Sequence, residues 1–249
     1  VTLDPREPWW SYPLVIVDFE TTGVVPTECG PVSVAAVRLE QGREVGHFYS
    51  LTRPGCPISP EASAVHGITD EQVADAPELS TLAAPLAELA AGAIPAAYNG
   101  TVFDKIIFHR YLSGAAPHPL FDPAQPWLDP LVMIRKIDRY ARGPGRHRLD
   151  ATCDRWGVPF GEGEAHNALA DVRAVGRLLG ALIERGKVKP TVSLGRMIAY
   201  SEQVRAEQDR QWEQYQAKLK AREAQQTLAL GSGDSETSPH VDTCSSEPR

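Results

Sequence analysis

A mixed sheet flanked by helices, an α/β fold, is predicted by three features of the 249-residue chain. Three strand-like runs follow one another, "YPLVIVDFE", "PVSVAAVRLE" and "REVGHFYSLTRP", with "QG" as a turn between the last two. A fourth, "AIPAAYNG", comes only after a helical stretch, so a crossover separates it from the first three. Beyond it the remaining segments of the domain read as helices.

The opening meander is antiparallel in expectation, because three strands follow one another in succession. "SPEASAVHGITDEQVADAP" reads as short capped helical pieces, and "ELSTLAAPLAELAAG" as a helix closed by Gly92. After the fourth strand, "FDKIIFHRYLSG" places Ile106, Ile107, Tyr111 and Leu112 at helical spacing. A Pro-rich connection leads to three more helices, "PLVMIRKIDRYAR", "LDATCDRWG" and "HNALADVRAVGRLLGALIERG". From about Thr191 the chain is highly charged, with a thin apolar stripe of Val204, Trp212, Tyr215 and Leu219. That pattern is a solvated helix or one that meets a partner. "GSGDSETSPHVDTCSSEPR" has the composition of a disordered tail. The expected organisation is an N-terminal extension over 1–11, a catalytic-size domain over 12–190, a charged helical extension over 191–230 and a tail over 231–249.

Composition removes several function classes. No run approaches the roughly 18 apolar residues that span a bilayer, and "VTLDPREPWWSYP" lacks the basic start and apolar stretch of a signal peptide, so the cytoplasm is expected. Trp9 and Trp10 either pack against the domain or mark a boundary of the chain. Cys29, Cys56, Cys153 and Cys244 form no CxxC pair, which argues against a zinc site and a disulfide framework. The net charge of −7 looks adverse for a nucleic-acid binder, yet Asp234, Glu236, Asp242 and Glu247 against Arg249 place −3 of it in the tail. Cations bound to four of the remaining acids would leave the working domain near neutral.

The chemistry starts at "VIVDFETTG". Asp18 and Glu20 stand two apart on a strand, so they project from one face and can converge on a cation. Alone they could equally be a strand end meeting solvent. Asp104 in "YNGTVFD" opens a helix, where the dipole favours a carboxylate. In "AHNALADV", His166 and Asp171 are five apart, which on a regular helix turns them about 140° from each other. They can serve one site if Asn167 caps the helix, Asp171 lies in its first turns and His166 precedes it on a loop.

In that order and at those separations, "DFETTG", "YNGTVFD" and "HNALADV", with "AVHGIT" between the first two, resemble the motifs of the DEDDh family of 3′→5′ exonucleases, which includes the epsilon proofreading subunit of bacterial DNA polymerase III. The resemblance covers about residues 12–185. It implies an RNase H-like fold with a mixed five-stranded sheet, in which Asp18, Glu20, Asp104 and Asp171 bind two Mg²⁺ or Mn²⁺ ions and His166 is the general base. The substrate-facing set it implies is Phe19, Thr21, Thr22, His66, Ile68, Asn99 and Phe103, with His66 and Ile68 against the terminal base or sugar. "VHGIT" reads equally well as a helix-to-turn element packing the core. Many members carry His before the Asn of the second motif, where this chain has Tyr98.

Elementary chemistry agrees with that reading. In-line hydrolysis of a phosphodiester needs an activated water, neutralised non-bridging oxygens and a stabilised leaving 3′-oxygen, and two cations on hard oxygen ligands serve all three. An imidazole near its reference pKa of about 6.5 takes a proton near neutral pH. The basic run of Arg135, Lys136, Arg139, Arg142, Arg146 and Arg148 is a candidate track for phosphates, or a solvated face. "QQTLAL", Gln225 to Leu230, has the shape of a sliding-clamp binding peptide, or is a plain helix end. Removal of nucleotides from single-stranded or frayed DNA 3′ ends is the expected function, with proofreading beside a polymerase or repair as its setting. The alternatives are an exoribonuclease and a non-catalytic interaction subunit.

Overall fold

The computed structural model describes residues 3–115, 118–122, 124–160 and 167–231. Residues 1–204 form one compact unit and residues 205–249 a second. The first is built on strands β1 (Leu14–Thr21), β2 (Pro31–Glu40), β3 (Arg43–Leu51) and β4 (Ile94–Ala96), in the order β3-β2-β1-β4. The first three are antiparallel and β4 is parallel to β1, so the sheet is mixed.

Period-two alternation divides β1 between two cores. Val15, Val17 and Phe19 face helices α3 (Ala83–Leu89) and α4 (Asp104–Leu112), packing with Leu86, Ile107 and Phe108. Leu14 and Ile16 face helices α6 (Leu149–Trp156) and α7 (Ala168–Glu184), packing with Val172, Val175 and Leu179. Gly176 lets α7 come close: a Cβ there would lie 2.8 Å from Leu39 Cδ1 and 3.6 Å from Ile16 Cδ1. Arg173 on α7 also donates two hydrogen bonds to Glu44 of β3, at 2.8 and 3.0 Å.

Three of the other helices are short. Helices α1 (Pro60–His66) and α2 (Asp70–Val73) are capped by Ser59 and by the Thr69–Gln72 box. Helix α5 (Pro130–Ile137) stops before "DRYAR", although the pattern predicts helix through it. The Asp138 carboxylate is drawn to α6, where it accepts hydrogen bonds from Trp156 Nε1 and Arg155 Nε. The sheet has four strands among the described residues, where five were expected. Beyond β4 the sheet gains a single bridge, between Leu128 and Ala96. Pro126 has no N–H to give and Pro130 opens α5, so pairing cannot extend in either direction.

The N-terminal extension is part of the first unit. Trp9 is fully buried, and its indole N–H donates to the Lys189 carbonyl at 3.0 Å. Helix α8 (Leu194–Gly231) begins in this unit, where Leu194, Met197 and Val204 are buried. Its continuation in the second unit exposes Trp212 and Tyr215, stacked at 5.7 Å. No helix among the described residues is long and apolar enough to cross a membrane.

Candidate active site

Asp18 and Glu20 extend the stripe that Leu14 and Ile16 begin on β1, so both carboxylates point toward the start of α7. A bulge follows at once: Glu20 pairs with Ser33, but Thr21 pairs with Pro31. The extra residue, Val32, is on β2, and regular pairing ends there, just beyond the acids.

Asp104 arrives from the other side of the sheet. β4 stops at Ala96, opposite Ile16, so the Phe19 N–H has no strand neighbour and donates instead to Asp104 Oδ1 at 3.2 Å. Its carboxylate is 3% exposed and lies at the first residue of α4. Reaching that position takes a tight turn. Asn99 adopts a left-handed conformation, with φ of 64°, and a Cβ on Gly100 would lie 2.1 Å from that of Ala97 and 3.3 Å from Asp104 Oδ2.

The turn is tied down by Asp129, a residue the motifs do not single out. Asp129 is 1% exposed and accepts from Asn99 N at 2.9 Å, Thr101 Oγ1 at 3.0 Å and Leu131 N at 3.0 Å. It therefore caps α5 and fixes the backbone that delivers Asp104. "DP" before an apolar run signals the cap in sequence. Nothing local signals the bonds to residues almost thirty positions away.

Asn167 caps α7, its Oδ1 accepting from Leu169 N and Ala170 N, and Asp171 lies in the first turn. His166 lies outside the described residues. Donor oxygens of Asp18, Glu20 and Asp171 all come within 4.8 Å of one another. Burial, then the charges of Asp104, Asp171 and Glu20, hold the Asp18 carboxyl well above the usual range. Burial, then Asp171 and Asp104, raise Glu20 to about 8. Burial raises Asp104 to about 7 even though its own and the Phe19 backbone N–H groups pull it down, and Asp129 pushes it further up. Acids that resist ionising together are poised for a counter-charge, and an all-oxygen donor set fits a hard divalent cation.

The substrate-facing candidates divide. By alternation Phe19 turns its ring away from the acids, into the core against Phe108, so only its backbone borders the site. Thr21 and Thr22 are buried at the strand end, and Gly30 N donates to Thr22 Oγ1 at 3.0 Å. His66 and Ile68, both half-buried, flank the turn after α1. His66 Nδ1 accepts from Ile68 N at 3.1 Å, so the ring proton is on Nε2, 3.3 Å from the Thr21 carbonyl oxygen. "VHGIT" is thus bonded directly to the strand that carries the acids. Asn99 and Phe103 lie in the segment before Asp104, both half-buried. Tyr98 donates to the His147 carbonyl at 2.8 Å and lies 3.1 Å from Thr152 Oγ1. Gln225–Leu230 falls on the backbone of α8, and its side chains lie outside the described residues.

Three clustered carboxylates with a fourth beside them, at one end of a mixed sheet between two helical layers, are the donor set and frame of the RNase H-like build, suited to a hard divalent cation. The chain belongs to the exonuclease family, whose model matches residues 15–179, in its DEDDh 3′→5′ type. It is 38% identical over 181 residues to a DNA polymerase III subunit epsilon-like protein of Rhodobacter capsulatus, covering 69% of this chain and 24% of that one. It is 30% identical over 166 residues to the DNA polymerase III subunit epsilon of Pasteurella multocida, covering 63% of this chain and 62% of that one. The chain thus spans about a quarter of the first relative's length. Exonuclease X, solved with 5′-overhanging duplex DNA, superposes with a TM-score of 0.55 at 26% identity, covering 74% of this chain and 99% of that one.

Proposed function

We propose that this chain removes nucleotides one at a time from the 3′ ends of single-stranded or frayed DNA, releasing nucleoside 5′-monophosphates. The observation that carries this reading is the convergence of Asp18, Glu20 and Asp171 from two distant segments, with Asp104 beside them. Those residues would hold two Mg²⁺ or Mn²⁺ ions, which when bound supply an activated water and neutralise the phosphodiester. Asp171 is fixed in the first turn of a capped helix, and Asp104 by the Phe19 amide, so the cage is set before substrate arrives.

His166 precedes the α7 cap directly in sequence and takes the role of general base, accepting the proton of the attacking water. The strand end carrying Thr21 and Thr22, with His66 and Ile68, receives the terminal nucleotide, and Asn99 and Phe103 border it from the second motif. A polymerase partner, and hence proofreading, is supported by the epsilon-like relatives. Nothing in the described residues favours RNA or a sliding clamp over this reading.

The test follows 5′-labelled DNA and RNA strands of one sequence with Mg²⁺ or Mn²⁺. A ladder shortening from the 3′ end of DNA, reduced by about 10³-fold in Asp171→Ala, is expected. Activity that survives the substitution would sink the proposal, and faster loss of RNA would turn it into an exoribonuclease.

A further inference from the structure

Beside the acids lies a second recess. A cleft of about 470 Å³ runs between Tyr98–Asn99 and the 143–150 segment that joins α5 to α6, with Asp171 on its wall. Its size is that of a small-ligand site. Arg135, Arg146 and Arg148 line it, whereas Lys136, Arg139 and Arg142 of the same basic run do not. The fold thus sorts three cations of the run toward the site. Asp150 also lines the cleft, 3.4 Å from Arg148 Nε. Phe160 supplies an aromatic face.

The wall carrying the arginines is held in place. Tyr98 donates to the His147 carbonyl at 2.8 Å, Arg155 Nη1 donates to the Arg146 carbonyl at 2.5 Å, and Arg148 N donates to the Gly145 carbonyl at 3.0 Å. Tyr98 therefore joins the second motif to the basic loop. None of Thr21, Thr22, His66 and Ile68 lines the cleft. It opens from the Asp171 and Asn99 side of the acids, so of the expected substrate-facing residues Asn99 alone borders it.

We propose that this cleft binds the strand upstream of the scissile bond, Arg135, Arg146 and Arg148 taking its phosphates and Phe160 offering a stacking face. The inference rests on the exonuclease reading and adds to it a built subsite for the part of the substrate that is not removed. Guanidinium forks suit phosphate oxygens, and stacking is indifferent to base identity, so the cleft is specific for single-stranded backbone rather than for sequence.

Two substrates separate the cleft from the reaction centre. A 5′-labelled decathymidylate fills both, whereas in the p-nitrophenyl ester of thymidine 5′-monophosphate nitrophenol replaces the upstream strand. The Arg146→Ala/Arg148→Ala double variant is expected to raise the ratio of the decamer KM to the ester KM about tenfold, and Lys187→Ala, which removes a like charge outside the cleft, leaves that ratio unmoved. Fluorescence anisotropy of a labelled decamer in EDTA reads the cleft without turnover. There the salt slope of log K should flatten by about 0.7 for each phosphate that the variant no longer neutralises. A ratio and a salt slope both unchanged in the double variant overturn the inference, as does an equal rise of both KM values. Weaker inhibition by thymidine monophosphate with an unchanged ratio would make the cleft a product site and overturn it too. Wild-type protein that hydrolyses neither substrate refutes the exonuclease reading instead, and the anisotropy series then decides the cleft alone.

Discussion

Asp104 occupies the place of a missing strand neighbour: its carboxylate receives the Phe19 N–H that a longer β4 would have taken. Like Glu20, it is held above the ordinary carboxylate range by burial, which makes the cation-free protein sensitive to pH. Below about pH 4 these acids are protonated in folded and unfolded chains alike. As pH rises, the unfolded chain ionises first while the folded one resists up to about 7 for Asp104 and about 8 for Glu20. The unfolded state therefore binds fewer protons across that window, and stability falls from about pH 4 to about pH 8. Melting curves in EDTA should show the decline. Mg²⁺ or Mn²⁺ should raise the midpoint by about 5 °C or more at about pH 8 and by less than half of that at about pH 5. Equal shifts at the two pH values would mean that the acids are not where the cation binds. The clustering acids are legible in sequence because each sits in a short motif whose order is fixed. Asp129 is not, because its bonds to Asn99 and Thr101 exist only after folding. Asp129→Ala should remove the acceptor on which Asn99 N, Thr101 Oγ1 and Leu131 N converge, cost about 3 kcal/mol in a urea titration and lower kcat more than it raises KM.

Strand and helix patterns locate most elements, and the departures have local causes. β4 is shorter than its apolar run because Asn99 turns left-handed and Gly100 packs against Ala97, both in the segment that carries Asp104. α5 ends early because Asp138 is claimed by Trp156 and Arg155. A fifth strand could not form around Leu128, whose neighbours two positions away on each side are prolines. The packing of α7 on the sheet is the feature on which the site turns, because Asp171 rides on that helix. Gly176→Val should destabilise the protein by about 1–3 kcal/mol, since Leu39 must yield before the helix can stay. The same variant should lose more activity than stability explains, and an activity loss matching only the unfolded fraction would show that the α7 approach does not set the cage.

The compact unit of residues 1–204 contains the described acids, the arginine-lined cleft and the buried start of α8. Truncation after Val204 should therefore keep the rate on a short single strand within about twofold, while any loss confined to polymerase-bound substrate would assign the remainder of the chain to partnership. The overall class is visible in the order of strands and helices, and the family in its motifs. The arginine cleft is hidden inside a run of six cations, because which of them face the acids depends on how α5 and α6 are joined. The carboxylates come from β1, the start of α4 and the start of α7, so the full set needs all of the chain from Asp18 to Asp171. During synthesis a chain that has not yet extruded Asp171 carries three of the four acids and an open sheet. Until Asp171 emerges and α7 docks on the sheet, the carboxylate set is incomplete, so assembly of the site is coupled to one of the later steps in folding the 1–204 unit.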